Sequence, residues 1–424
     1  MARSLFVLSL LAALLLLGDA RPGLARGKTA PVDPVGALLE QGESLVRSGQ
    51  MPRAEEKFNE VLKRDPKNLD ALIWLGEVAL SRKDVARAEA LAKQAQAINP
   101  AHPATHALLA LVYEGRNEPA KAEGEYRTAI RQDPSYLPPY WLLARRYLAQ
   151  GRTADAIAQY QAALKVKPDQ SGIRQALILI LVKAGRLPDA IREATILVRQ
   201  KPNDPALHNT LGALYGRNGD PASAGQEFQE ALRLDPKFGP AYLNLGDNFL
   251  AQNDRGRALE NYVKAGRASP TLAEAHWKAG DLYLADRKIG DAIAAYRRAL
   301  TADPKAVVPL TNLARIYTEE RKDLKQALEL AQRAEPLAPK DWYVQDVLGW
   351  ALCESGRVPE AVQHLQEATR LEPAAGRARY HLGMAYLKQG KKDQAVVELK
   401  TALTLAPNRE RRAAIEQVLA GLSR

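Results

Sequence analysis

Two histidines, His102 and His106, stand four residues apart, the spacing that puts two imidazoles on one helical face as in a zinc-binding pair. The stretch "GLARGKT" at 23–29 resembles a phosphate-binding loop, but three residues separate its glycines where that loop has four, and no strand precedes it. Trp141 with Arg145 and Arg146 close behind is an aromatic flanked by cations, a pattern suited to an anionic polysaccharide. Cys353 is the only cysteine, so no intrachain disulfide can form, and it reads as a small buried apolar residue. The sequence has no nucleophile elbow, C-x-x-C pair or glycine-rich dinucleotide loop, and no metal or cofactor is expected.

What must position these side chains is a period. Prolines fall at 66, 100, 134, 168, 202, 236, 270 and 304, then at 339, 373 and 407: ten steps, one of 35 residues and the rest of 34. When each unit is numbered 1–34 with that proline at 32, the first unit begins at Val35. Position 20 is alanine in all eleven units, from Ala54 to Ala395, and position 8 is glycine or alanine in ten of eleven. Position 11 is often tyrosine, as at Tyr147 and Tyr317, and position 24 is often aromatic, as at Phe58, Tyr262 and Tyr296.

Positions 4, 7, 8 and 11 share one helical face, as do 20, 24 and 27. Position 15 is glycine in six units and asparagine in two, which suits a left-handed residue ending the first helix. Proline at 32 stops the second helix. Each unit therefore reads as a helix, a tight turn and a second antiparallel helix. In this frame His102 falls in a turn between units and His106 at position 4, as do His208 and His276. That is a packing position, so the histidines read as structural. One extra residue falls in unit nine around "ERKDLKQA", in or just after its turn. Unit five carries Ile178 at position 8 and Ala194 at position 24, a large-for-small exchange with its compensation.

This pattern resembles the tetratricopeptide repeat, over residues 35–409. The resemblance implies an all-α, right-handed solenoid of about eleven stacked helix-turn-helix units, and "ERRAAIEQVLAG" reads as a C-terminal capping helix within 410–424. It also implies a concave groove, lined by the first helices, that takes peptides or whole proteins. Positions 2, 5, 6, 9, 12 and 13 would face that groove. Units three to five place Leu111, Trp141, Leu142, Leu148, Leu179 and Val182 there, an apolar stripe where exposure is expected, and Arg145 is a further groove residue. Units six to nine offer Asn209, Asn244, Asp247, Lys278, Asp281, Asn312 and Arg315, a polar zone able to pair with a peptide backbone. Units ten and eleven offer Tyr343, Trp350, Tyr380 and Met384. Asparagines at position 6 line the groove in some members of the family. Here Lys278 interrupts that ladder and His381 ends it.

The first thirty residues have the layout of a secretory signal. Arg3 precedes an apolar core from Leu5 to Gly18, and cleavage is expected after Ala20 or Ala25, with a linker to residue 34. An uncleaved membrane anchor is the alternative, and membrane association is otherwise expected to be indirect. Net charge is +11, which favours acidic partners over basic ones. Export argues against nucleic acid. Repeats, linker and cap leave no length for a catalytic domain, so an enzyme with a helical arm is disfavoured. The expectation is an exported scaffold, in the periplasm or at the outer membrane, serving secretion, polysaccharide export, pilus assembly or gliding motility. The alternative is an accessory protein for an anionic polysaccharide or its synthase.

Overall fold

The structure, a computed structural model, describes residues 34–321, 323–405 and 409–422. The expected signal with its cleavage sites, the 23–29 loop, the linker as far as residue 33 and Pro407 lie outside the described residues. Twenty-three α-helices and no strand occur among those described, and the architecture is an all-α solenoid of paired helices. The first repeat pairs Pro34–Arg47 with Met51–Arg64, the seventh pairs Gly239–Ala251 with Arg255–Ala268, and a final helix spans Arg409–Leu422. None of these helices is long and apolar enough to cross a membrane.

Every repeat closes its turn in the same way. The amide at position 16 donates to the carbonyl at position 11, as in Arg152 to Tyr147 at 2.8 Å and Asp254 to Phe249 at 2.9 Å. This is the closure that follows a left-handed residue at a helix C-terminus. Glycines supply that residue at six turns, with φ between +73° and +81°, and Asn117 and Asn253 supply it at two more. The structure adds two positions that residue type alone did not mark. Lys83 and Arg287 sit there with φ of 65° and 60° and carry the strain a Cβ brings to this region. Asp84, Asp220, Asp254 and Asp323 cap the following helices through their carboxylates.

Position 8 is small because a large side chain lies against it, most often the ring at position 24 of the same repeat and at Gly349 and Gly383 a leucine there. A Cβ on Gly246 would fall 2.6 Å from the Tyr262 ring, so only hydrogen fits. The aromatics at 24 thus pack within a helix pair more than between pairs, and Phe58, Tyr126, Tyr262 and Tyr296 are among the largest fully buried side chains. Ile178 and Ala194 are both buried, as their exchanged sizes require.

The extra residue of repeat nine is taken up in the first helix rather than in the turn. Tyr317–Arg321 is a π-helical turn, which accommodates one additional residue in a helix. The turn still closes onto Tyr317, now from Asp323 at 2.9 Å, one residue further along than elsewhere. At the C-terminus Ile415 is buried against Leu399 and Ala402, with Val418 and Leu419 beside it, as the capping reading expects.

Backbone proximity divides the chain into two compact halves, one ending at Pro202 and one beginning at Asn203. Repeats one to five make the first and repeats six to eleven the second. Each is a continuous stack.

Candidate protein-interaction face

Much of the polar chemistry along the first helices is spent joining one repeat to the next. At position 4 the side chain reaches back to the carbonyl of the proline that ends the preceding repeat. His106 does so through Nε2 to Pro100 at 2.8 Å, Tyr140 through its hydroxyl to Pro134 at 3.2 Å, and Gln345 to Pro339 at 2.9 Å. A partner on the second helix often holds the same group, as Glu125 holds His106 Nδ1 at 2.7 Å and Glu227 holds His208. These histidines are turn fasteners. Cys353 is fully buried, and burial pushes its thiol up.

A second link joins position 9 to position 6 of the following repeat, 31 residues on. Trp74 Nε1 donates to Glu43 at 3.3 Å. Lys278 Nζ reaches both oxygens of Asp247 at 2.7 Å, and Asn312 Nδ2 donates to Asp281 at 3.0 Å. Trp350 stacks on His381 with centroids 4.4 Å apart and planes 8° from parallel. The tyrosine at position 24 adds its hydroxyl: Tyr262 donates to Asp247 at 2.6 Å and Tyr296 donates to Asp281. Tyr343 completes the row, donating to Asn312 Oδ1 at 3.0 Å.

The expected polar zone is therefore a bonded network. Burial holds the Asp281 carboxyl above the usual range, although Tyr296 and Asn312 pull it the other way. Burial pulls the Lys278 ammonium down, yet Asp247 and Glu274 hold it above its ordinary value. Asn312 has both ends of its amide in use. Asn244 Nδ2 donates to Asn209 Oδ1 at 2.9 Å, leaving one acceptor and one amino group of the pair outside the network. The Asp247 side chain stays 42% exposed while fully engaged. Arg315 pairs with Glu319 of the π-helical turn at 3.2 Å, and Glu319 also holds Arg377 at 3.1 Å. Arg377 in turn approaches Asp346, which has no exposed surface and accepts from His381 Nδ1 at 2.7 Å. Sequence reading missed Asp346, Glu319 and Arg377. A donor set 31 residues after position 9 is the signal that finds the other links; Asp346 stands at position 5 of repeat ten, so the same spacing to Arg377 starts from a position that rule does not cover.

The apolar stripe splits in two. Leu111 and Leu142, expected at the surface, are buried at 7% and 8% exposure and belong to the packing. Leu179 stands 55% exposed and Leu148 37%, and Trp141 and Val182 are half-buried, all on the first helices of repeats four and five. Arg145 and Arg146 do not present free charge beside Trp141: both approach Glu114, Arg145 at 3.0 Å and Arg146 at 4.0 Å. Burial pushes the Glu114 carboxyl up against the pull of those two cations. Tyr380 and Met384 are half-buried, Tyr380 with its ring 5.9 Å from that of His381, and Lys388 lies 5.9 Å from the Trp350 ring.

A stack of helix pairs joined by such links is a repeat scaffold. Models of the tetratricopeptide repeat match residues 39–103, 243–307 and 347–410, a second model matches 79–147 and 147–214, and a third 205–238. Together they cover most of the chain, and the protein belongs to the tetratricopeptide repeat family. Members of this family are generally non-catalytic scaffolds for protein interactions. Among curated proteins none matches the chain. Similar solved structures include a chain of the APC/C hetero-tetramer Cut9–Hcn1, at 15% identity over 97% of this chain and 98% of that one, with a TM-score of 0.46. Yeast Tom70 is similar at 15% identity over 92% of this chain and 95% of that one, with a TM-score of 0.39. YrrB, described as a TPR protein with an unusual peptide-binding site, is similar at 23% identity over 46% of this chain and 99% of that one, with a TM-score of 0.39.

Proposed function

We infer that the protein is an exported scaffold of the bacterial cell envelope that docks segments of partner proteins on its first-helix face. The observation that carries the docking is the apolar surface of repeats four and five. The links between repeats take up much of the polar chemistry of the first helices, and Leu111 and Leu142 are buried. Leu179, Leu148, Trp141 and Val182 nonetheless keep apolar area in solvent. Exposed apolar residues clustered on one face mark interaction sites, and an accessible tryptophan is a good anchor. The N-terminal apolar core and its small-residue cleavage sites support export. Secretion, polysaccharide export, pilus assembly and gliding motility are the envelope machines such a scaffold would serve.

The test is selection of peptides from a displayed library on the immobilised chain. Peptides that bind the protein should lose roughly tenfold or more in affinity on Leu179→Asp, and several-fold on Trp141→Ala, with the helical circular dichroism of both variants unchanged. Peptides that bind both variants as tightly as the parent would make this surface structural. Export is checked separately, by fractionating cells that carry a C-terminally tagged chain. A tag found only in the cytoplasm removes the envelope assignment.

A further inference from the structure

We propose that the protein carries a second binding site, on the second-helix face of repeats eight and nine, which takes the carboxylate of an acidic protein segment. The junctions between repeats differ here from their equivalents elsewhere in the molecule. At several junctions the side chain at position 25 donates to the tyrosine hydroxyl at position 11 of the next repeat. Arg127 does so to Tyr147 at 3.1 Å, Arg297 to Tyr317 at 2.7 Å, and Gln366 to Tyr386 at 2.9 Å.

At the first of these junctions the arginine is neutralised by Glu123, one turn earlier, at 2.7 Å. At repeat eight the corresponding residue is Ile293, and Arg297 has only the neutral hydroxyl. Arg333, on the next second helix, is likewise held by a neutral group, the Pro304 carbonyl at 3.2 Å. Its equivalents differ: where position 26 is Glu230 or Glu367, that carboxylate is paired with Arg233 or Arg370. Neither Arg297 nor Arg333 forms an ion pair among the described residues.

Arg297 and Arg333 both line one open cavity of about 350 Å³, with Thr301, Tyr317, Gln326 and Glu329. The Glu329 carboxylate forms no ion pair with either. Two cations and one anion leave the cavity with a single positive charge, which matches a carboxylate better than a dianionic phosphate. Each guanidinium still has N–H groups available for a charge-assisted, bidentate contact. This site does not depend on docking at the first-helix face.

The experiment measures binding of a fluorescently labelled oligoglutamate peptide by anisotropy at low ionic strength. Arg297→Gln places at repeat eight the residue that repeat ten already uses to hold its tyrosine, so the link survives and only the charge goes. With Arg333→Gln added, affinity should fall about tenfold or more. A control pair, Arg298→Gln with Lys325→Gln, removes equal charge from exposed residues outside the cavity lining and should cost less than about twofold. Equal losses in the two pairs would reduce the effect to net charge and overturn the site. So would absence of binding by the parent chain. Displacement of the peptide by inorganic phosphate at lower concentrations than by acetate would overturn the carboxylate assignment.

Discussion

Asp281 shows what a single side chain contributes here. Its Oδ1 accepts from both Tyr296 and Asn312, which ties the two helices of repeat eight to the first helix of repeat nine. Asp281→Ala would leave the buried Tyr296 hydroxyl without an acceptor for its proton, at a cost of about 1–3 kcal/mol in urea unfolding, while Asn312 keeps its bond to that hydroxyl. Asp281→Asn keeps the accepting oxygen and should lose much less. The pH dependence has a definite sign. Burial raises the carboxyl above its ordinary value of 3.8, so the folded chain holds this proton more tightly than the unfolded chain. The contribution of Asp281 to folding is therefore greatest below that ordinary value and falls as pH rises through the raised one. The stability of Asp281→Asn relative to the parent should accordingly increase across that interval and then level off; a difference that shrinks with rising pH would contradict the assignment. That Asn312, Lys278 and Asp281 lie on one face was legible from the period. That they bond to one another was not, because repeat numbering gives a residue's face but not the reach of its neighbour 31 residues away.

At the scale of the element, the helix pair was almost fully legible. Proline at 32, alanine at 20 and a small residue at 8 are demanded by main-chain geometry and by the ring at 24, so they recur in nearly every repeat. Two features escaped for physical reasons. The extra residue of repeat nine could sit anywhere between two fixed points, and the chain placed it in a π-helical turn where the closing hydrogen bond survives. Lys83 and Arg287 occupy left-handed positions against their own preference, which only the backbone reveals. Replacing either by glycine should stabilise the protein by about 0.5–1 kcal/mol, because relief of Cβ strain exceeds the added freedom of the unfolded chain. Urea midpoints check this, and a loss of stability in both variants would mean that the lysine or arginine side chain contributes more than the strain costs.

For the molecule as a whole, stability is a sum over repeats and the contacts between neighbours, so damage should stay near its origin. Tyr262 is buried at the centre of repeat seven and bonded to Asp247. Its replacement by alanine should cost roughly 3–5 kcal/mol. Hydrogen exchange followed by mass spectrometry should show faster exchange in repeats six to eight, with repeats one to four at their original rates. Uniform acceleration across all repeats would mean one cooperative unit instead. The turn closure carries a different consequence. It uses main-chain atoms alone, and the residues that donate it include Gln50, Glu118, Arg152, Asp254 and Lys288, with both charge signs among them. Outside the left-handed position and the capping aspartates, folding thus places almost no demand on side chains at the tips of these hairpins. A lineage can rewrite them one at a time, and an experimenter can use them as sites for a fluorophore, an epitope or a protease target without disturbing the faces on either side.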